Sequence, residues 1–395
     1  MLPNIPSSLG EASRVLLVSM RNLRFHVSRS GSYEFEDIIC NCDTVDLVTP
    51  HFNPTLFKVT NTLANSAAKL LKNGKLVNSL VNYKFHIDKE YDLFFLFCQS
   101  IEDILILNSI QGWREKCRYA VCWLDEIWAK DVDNWLVQLQ LLKEFDYIFM
   151  NFSSSLRQVA DIIKRPCYSI PYGVDAIKFC PYPNNFYRCI DVLNIGRRSK
   201  VTHDALQELV EREKLFYIYD TMKDLYMLDY RYHRNLYTNF VKRSRYMIVN
   251  KAKFDLTGKN NLQEEVGPRF FEGAAGGTMM LGVPPKCEDF TTNFDWFDAV
   301  IQTPFDCSNI ADIIAELDTQ PERQERIRKN NTVNSLLKHD WVYRWEAILT
   351  TVGLDSTPQM IERKARLRDL AKIVNTSAIS HPDLPPYRFS VSGGN

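Results

Sequence analysis

Short apolar runs alternate with amphipathic stretches along the first half of the chain. Several apolar runs are bounded by polar residues and predict buried strands: 14–20, 43–50, 91–98, 118–126, 146–152 and 167–173. The stretches between them carry apolar residues at helical spacing and predict helices: 55–82, 102–116, 134–145 and 154–163. This alternation is typical of a parallel sheet with helices on both of its faces.

The alternation stops at 172–189, an irregular segment with prolines and a glycine, and then begins again. In the second half, the predicted strands are 191–196, 215–220, 245–250, 277–282 and 298–304. The predicted helices there are 202–213, 235–244, one that begins near Pro268, 309–317, 320–336, 339–349 and 362–374. The chain therefore predicts an α/β protein of two Rossmann-like, doubly wound domains.

These elements divide the chain into five predicted parts. They are an N-terminal domain over 1–171, an interdomain linker over 172–190, a C-terminal domain over 191–338, closing helices over 339–374 and a tail over 375–395. In open parallel sheets, ligands bind beyond the carboxyl ends of the strands. Two such domains joined by a linker can place those ends face to face, so we expect the active site in a central cleft.

Composition narrows the class of partner. The 395 residues include 48 basic and 48 acidic side chains, so the formal net charge is zero and a nucleic-acid partner is not expected. The ten cysteines form no CxxC pair, and several lie in apolar runs, which is typical of reduced thiols in a cytoplasmic protein. The seven histidines form no HExxH or HxH pattern, so no protein-built metal site is expected.

The first residues show no basic segment followed by a long apolar run, so no signal peptide is expected. No apolar stretch approaches the ~18 residues that span a bilayer. We therefore expect a cytoplasmic protein. The basic amphipathic stretch 362–374 leaves open a peripheral contact with the inner face of a membrane, although such a stretch is more often a solvated helix face.

The segment 264–277, EEVGPRFFEGAAGG, concentrates candidate chemistry at a helix start. Pro268 suits the first helical position, and free backbone N–H groups around Gly267 favour a phosphate. Glu272 lies one turn into the helix, where its carboxylate can accept hydrogen bonds from a ribose diol, and Glu264 can do the same for a second polyol. A carboxylate near a helix start is also favoured by the helix dipole alone. The small residues after Glu272 suggest that the helix packs without this carboxylate.

Three cations follow the first predicted strand of the second domain: Arg197, Arg198 and Lys200. Cations at the carboxyl end of a strand fit a diphosphate, which Arg can engage through two parallel hydrogen bonds. A solvated turn would explain the same residues. Arg243 and Arg245, which flank a later strand, are weaker candidates.

In the first domain, Asp125 and Glu126 end a predicted strand. This position places them at the cleft, where they can bind acceptor hydroxyls or assist a proton transfer. Trp123 and Trp128 can stack on sugar faces, and core packing explains at least one of them equally well. Further acceptor-side candidates are Gln99, Glu102 and His26 in the loop 21–32.

Four segments, in this order along the chain, resemble the retaining nucleotide-sugar glycosyltransferases of the GT-B fold. IPYGVDAIKFCP (170–181) resembles their interdomain linker, and NIGRRSK (194–200) resembles the opening of their donor domain. The next segment resembles their E-x7-E motif, with matching positions at Glu264, Gly267, Glu272, Ala275 and Gly277. HDWVYRWEAIL (339–349) resembles their C-terminal helix, which returns to the first domain. The segment GPRFFEGAAGG is most similar to the spore-maturation-protein-like branch of these enzymes.

The resemblance implies transfer of a sugar from a nucleoside diphosphate sugar to a hydroxyl of a sugar, lipid or small-molecule acceptor. It also implies retention at the anomeric carbon and no bound metal or other cofactor. It further implies that Glu264 holds the donor sugar. The donor-binding candidates are Arg197, Arg198, Lys200, Gly267, Pro268, Arg269 and Glu272, and the catalytic candidates are Glu264, Asp125 and Glu126. The alternative is a non-catalytic two-domain protein that binds a nucleotide or sugar, and a third possibility is an epimerase or phosphorylase on the same fold.

Overall fold

A computed structural model of the protein describes residues 13–50, 85–184, 186–221, 225–253 and 263–377. The predicted helix over 55–82 and the tail beyond 377 lie outside these ranges. No helix in the described ranges is long and apolar enough to cross a lipid bilayer.

The first half of the chain builds a parallel sheet. The strands of this half are β1 (Val15–Val18), β2 (Val45–Val48), β3 (Phe85–His86), β4 (Tyr91–Ser100), β5 (Ile110–Gln111), β6 (Cys117–Glu126), β7 (Tyr147–Met150) and β8 (Cys167–Ser169). The sheet has the order β2-β1-β4-β6-β7-β8, and β3 pairs with β5 in a separate ribbon. β4 and β6 are central and their apolar residues are almost all buried, because helices cover both faces.

The helices of this half are α1 (Ser30–Cys42), α2 (Leu136–Leu141) and α3 (Leu156–Ile163). Short 3-10 helices lie at Val27–Arg29, Ile101–Ser109, Ala129–Trp135, Leu142–Glu144 and Ser153–Ser155. The linker contains one further short helix, α4 (Ala176–Phe179), which Asp175 caps by accepting from the Lys178 backbone N–H at 3.1 Å.

The second half repeats the pattern. Its strands are β9 (Ile190–Asn194), β10 (Tyr217–Tyr219), β11 (Ser244–Asn250), β12 (Met279–Val283) and β13 (Ile301–Gln302). They pair in parallel in the order β10-β9-β11-β12-β13. The helices are α5 (Lys200–Glu211), α6 (Tyr230–Lys242), α7 (Pro268–Ala275), α8 (Glu288–Asn293), α9 (Ile310–Asp318) and α10 (Pro321–Asn334), with a π-helix at Ser335–His339. The strand order reverses beside β1 in one sheet and beside β9 in the other, which is where doubly wound sheets bind ligands.

Two closing helices, α11 (Trp341–Val352) and α12 (Pro358–Thr376), return the chain to the first domain. The Trp345 indole N–H donates to Asp43 at 2.9 Å, and Trp341 stacks on Phe35 of α1 with 4.6 Å between ring centroids. The predicted return of the C-terminal helix is therefore confirmed. These aromatic contacts join both domains into one continuous apolar core.

Several elements differ from their sequence-based predictions, among them the short helices α4 and α8, which were not predicted. The predicted helix over 102–116 is the 3-10 helix Ile101–Ser109 followed by β5, because its residues are buried on nearly all sides rather than along one stripe. The helix α1 was missed. Its buried positions include Glu34 and Glu36, and these carboxylates obscure the apolar period that predicts a helix.

Candidate functional site

The carboxyl ends of the two sheets line one cleft. His26, in the loop after β1, forms an isolated antiparallel bridge with Tyr226, in the loop after β10. Glu126, at the end of β6, forms an ion pair with Lys253, in the loop after β11. Loops from the carboxyl ends of both sheets therefore meet, and the predicted candidates at these ends can act on one ligand.

The start of α7 faces this cleft without a side-chain cap. Gly267 is the N-cap residue and Pro268 occupies the first helical position, as predicted. No side chain in the described residues accepts a hydrogen bond from the first turn of α7. Its free N–H groups and the helix dipole therefore favour an anion there. A Cβ at Gly267 would lie 3.7 Å from the Asn250 carbonyl oxygen, so packing within the chain does not require this glycine.

Glu264 joins the ends of two neighbouring strands. Its carboxylate pairs with Lys251, just after β11, and accepts from the Lys286 backbone N–H at 2.6 Å, in the loop after β12. Partial burial acts to raise the pKa of Glu264, but these contacts outweigh it and the pKa lies below its usual value. The ionised carboxylate is held at the cleft edge of the second sheet, where it can accept hydrogen bonds from a polyol. Its predicted role toward the donor sugar stays a prediction.

Glu272 lies one turn into α7, and only 3% of the residue is exposed. Arg269 donates to it from Nη1 at 2.6 Å, Arg234 pairs with its other oxygen, and the Tyr237 hydroxyl donates to it at 3.1 Å. Burial acts to raise the pKa of Glu272, but the two guanidinium groups outweigh burial and lower it. A ribose diol would have to add to these bonds or replace one of them, and this predicted contact stays a prediction.

Arg234 extends this network across the domain seam. From α6 it donates to both oxygens of Glu34 in α1, with Nε and Nη2 each at 2.8 Å, while Nη1 pairs with Glu272. Glu34 also accepts from the Trp341 indole N–H at 3.3 Å and the Asp175 backbone N–H at 2.9 Å. We call Glu34, Arg234, Glu272 and Arg269 the seam network. It ties α1 of the first domain to α6 and α7 of the second.

Glu34 and Arg234 were not among the predicted site residues, although α6 carries a signal for one of them. The buried stripe of α6 is Tyr230, Tyr237 and Val241, and Arg234 occupies the remaining position of this helical period. An arginine within an apolar stripe predicts a buried carboxylate partner, because an unpaired buried charge is costly. The stripe does not identify which carboxylate, since Glu34 lies 200 residues away along the chain.

The three predicted phosphate-binding cations have different surroundings. Arg198 lies over the Tyr219 ring, 5.1 Å from its centroid, and pairs with Asp220 at 3.0 Å. Its Nη1 is buried and has no hydrogen-bond partner of good geometry among the described residues, although the Tyr217 side chain lies beside Arg198. Lys200 is exposed and pairs with its helix neighbour Asp204, and Arg197 is also exposed. Arg198 is therefore held in place at this turn by the Tyr219 ring and Asp220.

Asp125 ends β6 on the opposite side of the cleft. Burial, reinforced by the neighbouring Glu126 carboxylate, raises the pKa of Asp125 to about 8. The Trp123 indole and the Asn151 side chain lie beside it, but Oδ1 has no partner of good hydrogen-bond geometry among the described residues. At neutral pH this carboxyl group is therefore mostly protonated and can both donate and accept a hydrogen bond.

The two tryptophans near Asp125 differ. Trp123 is fully buried and stacks on Phe97 with 5.4 Å between ring centroids, so it is a core residue and cannot stack on a sugar. Trp128 donates to Glu126 at 2.9 Å and lies beneath the Lys253 ammonium at 4.9 Å. Trp128 therefore helps to position the Glu126–Lys253 pair at the cleft.

The lesser candidates separate by position. Gln99 donates to Ser28 at 2.9 Å, and the His26 ring lies 2.7 Å from the same hydroxyl, so both lie beside the cleft loop after β1. Arg243 and Arg245 precede or begin β11, at the amino end of the second sheet and away from the cleft. The prediction that they contact the ligand is therefore wrong. Glu102 lies in the first turn of the 3-10 helix after β4.

No group of three or more His, Cys, Asp or Glu side chains suited to a metal ion occurs within the described ranges.

Two solved structures have a similar fold. HepE of Anabaena, in complex with UDP-glucose, is 13% identical over 86% of this chain and 99% of that chain, with a TM-score of 0.50. An alpha-glucosyltransferase, in complex with UDP and a 13-mer DNA containing an HMU base, is 14% identical over 86% of this chain and 99% of that chain, with a TM-score of 0.51. At such identities the likeness shows the fold: two Rossmann-like domains of the GT-B type, as predicted.

Residues 200–350 match the sequence model of a family described as "Glycosyl transferase-like". Together with the fold, this match supports the class of GT-B glycosyltransferases. At the sequence level, no curated protein matches the chain. The E-x7-E assignment and the spore-maturation-like branch stay predictions.

Proposed function

We propose that the protein transfers a sugar from a nucleoside diphosphate sugar to an acceptor hydroxyl, with retention at the anomeric carbon. The observation that carries this proposal is that two features lie on opposite sides of one cleft. They are the uncapped start of α7 and the carboxyl group of Asp125, whose pKa is raised to about 8. The glycosyl transferase-like match over 200–350 covers the half that would hold the donor. Because the two similar structures contain UDP-glucose or UDP, a UDP-sugar is the proposed donor.

The leaving diphosphate needs its negative charge stabilised. The free N–H groups of α7, the Nη1 of Arg198 and the Lys251 ammonium beside Glu264 would supply this stabilisation. Arg197 and Lys200, which are exposed, would add charge only after moving toward the ligand. Because cations and helix N–H groups would already stabilise the phosphates, we propose that the reaction needs no bound metal.

The donor sugar would lie beside Glu264, whose fixed carboxylate can accept hydrogen bonds from sugar hydroxyls. Glu272 would hold Arg269 near the start of α7 and reach a ribose hydroxyl only through its remaining lone pairs. On the acceptor side, a group with a pKa near the working pH suits proton transfer, and Asp125 meets this condition. Glu126 pairs with Lys253 and would orient the acceptor. The acceptor would be a sugar, a lipid or a small molecule. The protein would act in the cytoplasm, and it could contact the inner face of a membrane peripherally.

The test is turnover. Purified protein with UDP-glucose and a panel of hydroxyl acceptors should release UDP faster than with UDP-glucose alone. A non-catalytic binding protein would bind the donor and show no acceptor-dependent release. No binding of UDP or of any nucleotide sugar would contradict both assignments.

Replacing Glu264 with glutamine should separate sugar binding from nucleotide binding. The change removes the charge that would hold the sugar hydroxyls, so UDP-glucose affinity should fall by about tenfold. UDP affinity should stay the same or rise, because the Lys251 ammonium loses its ion pair with Glu264. Isothermal titration calorimetry measures both constants. Glu211→Gln, an exposed change at the end of α5, is the matched control and should leave both affinities at the wild-type value. Equal losses for UDP and UDP-glucose would show that Glu264 does not contact the sugar.

Treatment with EDTA should leave the transfer rate unchanged, because the proposed charge stabilisation comes from side chains and backbone N–H groups. The measurement compares initial rates before and after chelation and dialysis. Loss of activity that Mg²⁺ or Mn²⁺ restores would overturn the assignment of Arg198, Lys251 and the start of α7 to the diphosphate.

A further inference from the structure

A polar cavity of about 260 Å³ lies along the domain seam. Four parts of the chain line it: α1, the residues around α4, α6 and α12. It begins beside Glu34 and extends along α1 past Ile38 to Asn41. Because the cleft end of α1 is its N-terminus, the cavity lies beyond the seam network, away from the proposed donor site.

The carboxylates that line this cavity already have cationic or hydroxyl partners. Asp37 accepts from Arg21 at 2.7 Å and from the Tyr230 hydroxyl, and Asp175 accepts from Arg363 at 2.7 Å. Glu34 accepts two hydrogen bonds from Arg234 in the seam network. Their charge is therefore largely compensated before any ligand enters.

Four cations line the cavity. Arg234 and Arg363 are held by carboxylates, whereas Lys178 and Arg231 keep unused donors. The Lys178 ammonium forms no hydrogen bond or ion pair with any residue that the structure describes. Arg231 has 63% of its side chain exposed. It contacts the Tyr230 side chain, and its ion pair with Asp37, at 3.9 Å, is weak. The amide groups of Asn41 and Asn235 line the same space and can donate as well. Lysine, arginine and amide donors around a small polar cavity match an anion with several oxygens.

We propose that this seam cavity binds a phosphate group, through Lys178 and Arg231 with the amides of Asn41 and Asn235. The volume is below the ~300–1,000 Å³ of sites for drug-sized ligands, which fits inorganic phosphate or a small phosphomonoester. The ligand would contact α1 of the first domain and α6 of the second. By mass action it would stabilise the arrangement in which the two domains are joined at the seam.

The phosphate has two possible sources, a soluble metabolite or a lipid headgroup. Three apolar side chains form a stripe with a spacing of four residues: Leu228, which precedes the N-cap of α6, and Tyr232 and Leu236 within α6. They are 85%, 77% and 57% exposed. This stripe lies next to Arg231 and Asn235 on the helix surface. An exposed apolar stripe beside a phosphate site is the arrangement that would place an anionic headgroup in the cavity and the stripe in the lipid interface.

Inorganic phosphate is the first probe. Titration should raise the melting temperature of the full chain in a saturable way, and Lys178→Gln should weaken the apparent affinity by about tenfold, because one charge-assisted contact is lost. Lys214→Gln, an exposed lysine beyond α5, is the matched control and should keep the wild-type affinity. Lys251→Gln removes a cation of the cleft and should also leave this phosphate affinity unchanged, which separates the cavity from the donor site.

Vesicles of phosphatidylglycerol and of phosphatidylcholine are the second probe, measured by co-flotation. Binding to phosphatidylglycerol alone, reduced both by Lys178→Gln and by Tyr232→Ser, would identify the lipid headgroup as the source. Phosphate binding that depends on Lys178 without vesicle binding would identify a soluble phosphate. If neither probe responds to Lys178→Gln or to Lys178→Glu, the cavity does not bind phosphate and the proposal is wrong.

Discussion

Replacing Arg234 with methionine should lower the free energy of unfolding by about 3–5 kcal/mol, because it leaves two buried carboxylates without their shared partner. Glu34 and Glu272 are 4% and 3% exposed, and Arg234 is 2% exposed. Removing the guanidinium group leaves the buried carboxylate of Glu34 without a cationic partner and removes one of the two cations that hold Glu272. Denaturant unfolding followed by circular dichroism measures this change. Because both domains share the lost contact, the unfolding transition at the lowest denaturant concentration should shift most, toward lower concentration.

Two further variants decide whether the cost comes from unpaired charge. Arg212→Met removes an exposed arginine that pairs with Glu208 within α5, and such surface pairs contribute about 0–1 kcal/mol. A double variant that adds Glu34→Gln to Arg234→Met should regain part of the stability, since Glu272 keeps its ion pair with Arg269 and position 34 no longer carries a buried charge. A loss for Arg234→Met no larger than that for Arg212→Met would contradict the seam network as a source of stability.

The fold was largely predictable because its signals are local. Strands such as β4 and β6 are uniform apolar runs in the sequence, and a parallel sheet buried on both faces requires such runs. Pro268 at the first position of α7 could be predicted because the missing N–H is tolerated only there. The missed helix α1 shows the limit: its inward carboxylates, Glu34 and Glu36, are compensated by partners distant in sequence, which a local pattern does not contain.

The candidate site was predictable only in part for the same reason. Glu272 could be found from its segment, but the expectation that α7 packs without its carboxylate fails. Its partner Arg234 lies on another helix, and loss of Glu272 would leave Arg234 and Arg269 with an unfilled contact. The assignment of Trp123 to the core also required the structure, since a strand end alone does not tell a sugar platform from a packed ring.

Replacing Asp125 with asparagine should lower the transfer rate by about 10²–10⁴-fold, the usual contribution of a general acid or base. The same change should make the protein more stable at alkaline pH. The pKa of Asp125 is raised to about 8 in the folded state, chiefly by burial and then by Glu126, whereas a solvated aspartate has a pKa near 3.9. A variant that is less active and more stable would show that this carboxyl group is kept for chemistry rather than for folding.

The pH dependence follows from the direction of the shift. Between about pH 4 and pH 8, the folded state keeps a proton on Asp125 that the unfolded state has released, so stability from this group falls as pH rises, by at most about 1.4 kcal/mol per pH unit. Asp125→Asn carries no such proton. The difference in unfolding free energy between this variant and the wild type should therefore be near zero at pH 4. It should increase in favour of the variant up to pH 8 and level off there.

This expectation is tested by measuring the unfolding free energies of the wild type and Asp125→Asn at pH 4 to 9. Asp133→Asn, a change at an exposed neighbour, is the control, and its difference from the wild type should not change with pH. The activity profile supplies an independent check. If Asp125 transfers the proton, the wild-type rate should change with an apparent pKa near 8, and the residual rate of Asp125→Asn should lose that step. A stability difference that is constant with pH would mean that Asp125 is ionised throughout, and its place opposite the start of α7 would then serve acceptor binding alone.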